Sequence, residues 1–315
     1  MSELYIHLGY PKTATTTFQQ HVFPRQRDIV YLGKTIPSFR YTDPELFPLI
    51  DALMTADSVT YDGTAALREV MRIHREEAGA RPLLISSESF LHVTAADPGV
   101  VAERVKAAFS PCKVIITIRE QRSLLRSFYG LHGRFGQYLF VTKAELEPFR
   151  LPLAMDHWLE LNFRACFRNL PALLHYDAII AYYSALLGKE NVGVFLFEEL
   201  KQAPESYIAR LAAFMGCDAE AMLSVARGRR EHTGLTRAEL LWWQLNRWLN
   251  RRPAGDTIER RITSRWSRWL SRGQTVPDTM SPAWDQRLRA LYGPGNQRLA
   301  NLLQQPLEQY GYAYG

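Results

Sequence analysis

The chain has 315 residues, enough for one large domain with a helical appendage, and its 47% hydrophobic and 22% charged residues exclude a disordered or collagen-like chain. Its net charge of +6 is concentrated: residues 227–272 hold twelve arginines against four acids, a net +8, so the remainder is about −2. Cys112, Cys166 and Cys217 stand far apart with no CxxC spacing, which argues against a disulfide framework or a cysteine zinc site and suits a reducing compartment.

The opening MSELYIHLGYPK lacks a basic leader region, and no stretch reaches the roughly 18 apolar residues of a membrane span. The expectation is a cytoplasmic protein, with the membrane surface as an alternative site. Leu4–Leu8 reads as a first buried strand, followed by a helix over Thr15–Phe23. The loop between them, GYPKTATTT, places Gly9, Pro11, Lys12, Thr13, Ala14, Thr15, Thr16 and Thr17 where a strand hands over to a helix. Free N–H groups at a helix start, a lysine and several hydroxyls make an anion site there. The plainer reading is a threonine N-cap with a lysine nearby. The loop is not a Walker A sequence, because its lysine precedes the threonines and no second glycine follows.

A helix over Ala65–Ala78 leads to a second strand, Pro82–Ser87, which delivers Glu88 at its carboxyl end and His92 four residues later. Either is a candidate base; three neighbouring serines would instead make Glu88 an ordinary capping carboxylate. His7, inside the first strand, reads as a satisfied core histidine. After a helix over Val100–Phe109, the strand Lys113–Ile118 ends in Arg119, and Ser127 follows on the next helix. An arginine fork and a serine suit a phosphate; a salt bridge to Glu120 or Asp156 and a surface serine are the plainer readings. A helix over Tyr176–Leu187 and a fourth strand, Asn191–Phe197, complete an alternation that implies a parallel sheet.

The rest reads as helical: Pro204–Met215, Asp218–Ala226, Arg237–Asn250, Ile258–Ser271 and two shorter helices to the end. The linker RRPAGD separates two helices bearing Trp242, Trp243, Trp266 and Trp269 beside a stripe of arginines. They suit packing on the core, an anionic glycan or a membrane interface. No recognition motif points to nucleic acid, and no cluster has metal spacing.

Pro-Lys-Thr-x-Thr-Thr, followed downstream by a strand-end arginine and a serine eight residues on, resembles the two signatures of sulfotransferases that use 3′-phosphoadenosine 5′-phosphosulfate (PAPS). Ala14 stands where that family generally has glycine, a change without cost unless the position needs positive φ. The resemblance runs from Leu4 to about Tyr312, with Leu235–Gly273 least similar. It implies that Lys12 and the loop hold the 5′-phosphosulfate and that Arg119 and Ser127 hold the 3′-phosphate. Glu88 or His92 would be the acceptor base, and Arg229 and Arg230, in a degraded form of the family's late basic loop, would close on the donor, with solvated surface as the alternative reading. PAPS would be cosubstrate and PAP, its desulfated form, the product, with no metal. The expected fold is α/β, a P-loop-like parallel sheet with helices on both faces plus a C-terminal Trp/Arg-rich helical cap. Its expected parts are a core over 1–235, an acceptor- or membrane-side insertion over 236–275, and helices over 276–315 packing back. The acceptor would be an anionic glycan, a lipid-linked molecule or a small molecule. A P-loop kinase or NTPase, and a non-catalytic anion- or membrane-surface-binding protein, are the alternatives.

Overall fold

Leu4–His7 forms β1, a central strand between two parallel neighbours, whose four side chains are all buried because both faces of the sheet are covered there. The computed structural model describes residues 2–35, 40–92, 95, 97–131, 133–135, 152–164, 170–226 and 279–314. Five parallel strands run in the order β2-β5-β1-β6-β7, with β2 at Val30–Tyr31, β5 at Leu83–Ser86, β6 at Lys113–Ile118 and β7 at Val192–Leu196. The register sets Ile6 beside Ile85 and Val114, so apolar rows run across the sheet. The chain builds outward from β1 to one side through β2 and β5, then to the other through β6 and β7. The carboxyl end of β1 is therefore the switch point at which ligands bind in open α/β sheets. Among the described residues, a separate hairpin pairs β3 (Lys34–Thr35) with β4 (Arg40–Tyr41).

After β1 comes one α-turn, α1 (Thr15–Thr17), which continues as a π-helical stretch over Phe18–Val22. Then follow α2 (Leu46–Thr55), α3 (Thr64–Ala78), α4 (Pro98–Phe109) and α5 (Gln121–Leu131). Asp97 starts α4 by accepting from the Gly99 and Val100 N–H groups, with Pro98 at the first helical position. Beyond come α6 (Met155–Arg164), α7 (Leu170–Leu173), α8 (Tyr176–Leu187), α9 (Phe197–Gln202), α10 (Pro204–Met215), α11 (Ala219–Ala226) and α12 (Pro282–Leu303). On one face of the sheet, Tyr5, Leu84 and Ile115 pack with Phe18, Val22 and Phe23, and with Tyr207, Ile208 and Leu211 of α10. Ile6, Ile85, Val114 and Ile116, on the other face, are fully buried too.

Two compact units are distinguished, the first made of residues 1–121, 170–231 and 288–315, the second of 122–169 and 232–287. The first carries the sheet. Within the second, Trp158 stacks on Phe128 at 6.3 Å, and Asp285 accepts from Arg122 at 3.2 Å.

Where the sequence suggests two short helices at the end, α12 is continuous and runs through Pro294. Leu288, Tyr292, Asn296 and Leu299 form a buried stripe at helical spacing on both sides of the proline. That burial outweighs the one backbone bond lost at the imide. The basic segment, including Arg229, Arg230, Trp242, Trp243, Trp266 and Trp269, lies outside the described residues. No helix of the described residues is long and apolar enough to cross a membrane.

Candidate active site

Past the end of β1 the chain still runs beside β6, with Leu8 N–H donating to the Ile115 carbonyl at 2.8 Å and Tyr10 N–H to Thr117 at 3.1 Å. Gly9 is required at that point, because a Cβ there would sit 2.2 Å from the Thr15 methyl and 2.8 Å from the Thr117 hydroxyl. The loop then turns through two left-handed residues, Lys12 at φ 70° and Ala14 at φ 67°. Ala14 thus occupies the kind of position that favours glycine, and its methyl carries strain of about 1 kcal/mol. The buried Thr13 hydroxyl donates to the Tyr10 carbonyl at 2.6 Å and lies 2.8 Å from that of Thr117, closing the turn on β6.

Lys12, Glu88 and Arg119 come together at the carboxyl ends of β1, β5 and β6. Thr15 donates its hydroxyl proton to Glu88 Oε2 at 2.7 Å, joining the loop after β1 to the end of β5. Arg119 Nη1 donates to the Lys12 carbonyl at 3.0 Å, while its guanidinium lies 4.6 Å from the centre of the Phe197 ring. Burial pulls the Lys12 ammonium down to about 8, with the Glu88 carboxylate opposing and Arg119 adding to the fall. Burial also lowers Arg119, and the strongest opposing influence is Glu198.

Glu88 opens a 3₁₀ turn, Glu88–Leu91, directly after β5, and Ser87 caps that turn by accepting from the Ser89 N–H at 3.2 Å. The carboxylate therefore faces Thr15 rather than the neighbouring serines. His92 ends the same turn, and burial holds its imidazole down to about 4, with Glu88 opposing and Lys34 adding to the fall, so it is neutral at physiological pH. His7 is the core histidine expected: its Nδ1 lies 2.8 Å from Ser86 Oγ, which also accepts from Gln19 at 3.1 Å, and burial takes it down to about 3.

Sequence reasoning missed Lys34. Its Nζ donates to Ser89 Oγ at 2.5 Å, one residue from Glu88, and the Tyr31 hydroxyl holds its carbonyl at 2.6 Å. Gly33 allows this approach, since a Cβ there would stand 2.6 Å from the Ser86 nitrogen. Burial lowers Lys34, with Glu88 and then Asp51 opposing. A Gly-Lys pair just past an apolar pair was the available signal, but Val30–Tyr31 is too short to read as a strand. Pro11 is buried, and Thr16 and Thr17 are half-buried. Ser127 is half-buried on α5, in the second unit. No described group of three or more His, Cys, Asp or Glu side chains is arranged to hold a metal.

No family model and no curated protein matches the sequence. Solved structures do match the fold. A sulfotransferase from Alicyclobacillus acidocaldarius superposes with a TM-score of 0.52 at 16% identity, over 99% of each chain. Mouse sulfotransferase SULT7A1, complexed with PAP, superposes with a TM-score of 0.51 at 15% identity, over 98% of this chain and 88% of that one. The chain thus has the α/β sheet architecture of these two sulfotransferases.

Proposed function

We propose that the chain is a PAPS-dependent sulfotransferase acting on an acceptor hydroxyl, or less readily an amine. The observation that carries this reading is the convergence of Lys12, Thr15 and Glu88, with Arg119 bonded to the Lys12 carbonyl, at the switch point of the sheet. The donor set, two cations and a row of threonine hydroxyls at a helix start, suits phosphate and sulfuryl oxygens.

On this reading, Pro11, Lys12, Thr13, Ala14, Thr15, Thr16 and Thr17 cradle the 5′-phosphosulfate. Arg119 and Ser127 hold the 3′-phosphate, and Arg229 and Arg230 close over it. Glu88 takes the acceptor proton as the acceptor oxygen bonds to sulfur. The bond from sulfur to the 5′-phosphate oxygen breaks, and that oxygen keeps the electron pair as PAP leaves. Lys12 stabilises the charge developing there, which acts on turnover more than on ground-state binding. His92 is the second candidate for the base. The segment 236–275, between a core over 1–235 and the closing helices, would face an anionic glycan or lipid-linked acceptor, or the membrane surface.

Calorimetry with PAP against ATP-magnesium tests the donor, with PAP expected to bind and ATP-magnesium not. A preference for ATP-magnesium would replace the reading with a kinase. With PAPS saturating and an acceptor found by screening with labelled PAPS, Lys12→Ala should cost about 10²-fold or more in kcat. Glu88→Gln should cost about 10²- to 10⁴-fold. Both variants should still bind PAP, and full turnover in Lys12→Ala would sink the mechanism.

A further inference from the structure

Reading a 3′-phosphate does not explain one contact of Arg119. Its Nη1 reaches back to the main-chain carbonyl of Lys12 at 3.0 Å. The guanidinium is fixed from below by the Phe197 ring at 4.6 Å, and the Arg119 carbonyl accepts from the Tyr176 hydroxyl at 2.8 Å. The residue it holds is strained. Lys12 and Ala14 both stand at positive φ, and such residues persist only where their surroundings over-determine them. Neutral bonds hold the flanks of the turn, through Thr13 to the Tyr10 carbonyl and through the Tyr10 N–H to the Thr117 carbonyl. The charge-assisted contact falls on the strained residue itself, and a bond of that kind is the stronger sort.

A guanidinium has five N–H donors in a fixed fork, and the bond to the Lys12 carbonyl engages one of its two Nη groups. We propose that Arg119 is a positioning residue for Lys12: it holds the Lys12 backbone in its left-handed turn and so links the 3′ side of the donor site to the 5′ side. The proposal rests on the donor reading above and adds a coupling to it. Lys12 is set for the 5′ group before any donor arrives, and an anion drawn onto Arg119 is felt by the Lys12 loop.

The test uses two probes, PAP and adenosine 5′-monophosphate, which lacks the 3′-phosphate. Binding is measured calorimetrically for the full chain and for Arg119→Ala, Lys12→Ala and the double variant. Arg119→Ala should weaken adenosine 5′-monophosphate by about tenfold or more, the effect of one charge-assisted bond, and PAP by more still. In the Lys12→Ala background the loss for adenosine 5′-monophosphate should shrink to about twofold or less, the non-additivity expected of residues acting as a unit. Arg119→Lys keeps a donor and the charge but not the fork, so it should recover much of the affinity for adenosine 5′-monophosphate and less of that for PAP. An adenosine 5′-monophosphate affinity untouched by Arg119→Ala, or lost equally with and without Lys12, overturns the coupling. If circular dichroism shows Arg119→Ala unfolded, Phe197→Leu replaces it, loosening the guanidinium without deleting it. A Phe197→Leu variant with unchanged affinity for adenosine 5′-monophosphate then overturns the proposal. Wild-type protein that binds neither probe ends the donor reading and the coupling together. Wild-type protein that binds PAP while Arg119→Ala spares adenosine 5′-monophosphate ends the coupling alone.

Discussion

Lys12 is held in surroundings that favour its neutral form, its ammonium down to about 8 through burial and the nearby Arg119 charge. A group that must be protonated to act, and whose pKa is lowered, loses its charge as pH rises through that value. If the chain turns over PAPS as proposed, kcat/KM for PAPS should therefore fall on the alkaline side with a midpoint near 8, and Lys12→Arg, which stays charged, should remove that limb at whatever activity it keeps. A profile flat to pH 10 in the wild type would contradict a role for the Lys12 charge. The residue scale is also where the sequence is most legible. Lys12, Thr15, Glu88 and Arg119 all lie in the segments that leave the carboxyl ends of strands, so reading the strands correctly places them on one edge. Lys34 escaped because its place depends on Gly33 letting a short hairpin approach Ser86, a contact between segments far apart in sequence.

At the scale of elements, the turn before α1 combines a strained start with a continuation that is not an α-helix. Thr15–Thr17 makes one turn, after which Phe18–Val22 widens into a π-helix whose Phe18 and Val22 enter the core. Periodicity suggests one uniform helix over Thr15–Phe23, because the spacing of apolar residues does not report which carbonyl each N–H chooses. The same limit explains α12, read as two short helices until burial of Leu288, Tyr292 and Leu299 on both sides of Pro294 is known. By contrast α8 and α10 are legible to their ends, each closing on a glycine at positive φ, Gly188 and Gly216. Ala14→Gly should relieve the left-handed strain at the cost of some freedom in the unfolded chain, for a net gain of about 0.5 kcal/mol. A thermal melt should show Tm higher by about 1–2 °C; a lower Tm would mean that the packing of the Ala14 methyl outweighs its strain.

For the molecule as a whole, burial lowers two histidines, His7 within β1 to about 3 and His92 at the end of the turn after β5 to about 4. Both values lie below the ordinary 6.5, so the unfolded chain takes up these protons first. Their stabilising contribution is complete above about pH 6.5 and is lost as pH falls towards 4 and then 3. Calorimetric Tm should decline steadily over that window. His7→Asn should show a shallower decline, whatever its absolute Tm, and an equal slope would remove His7 as a cause. The fold class was legible from four apolar runs alternating with helices, whereas the edge strand Val30–Tyr31 was not, since two residues carry no period.

The strand order has a further consequence, for folding. Lys12, Glu88 and Arg119 sit at the ends of β1, β5 and β6, which become neighbours only when segments distant in sequence have paired. Non-local parallel pairing is slow to form because loop closure precedes its reward. The proposed anion site is thus absent from any intermediate that has helices but no assembled sheet. A ligand spanning these strand ends binds the finished fold and not its precursors, so it raises the stability of the whole molecule by mass action.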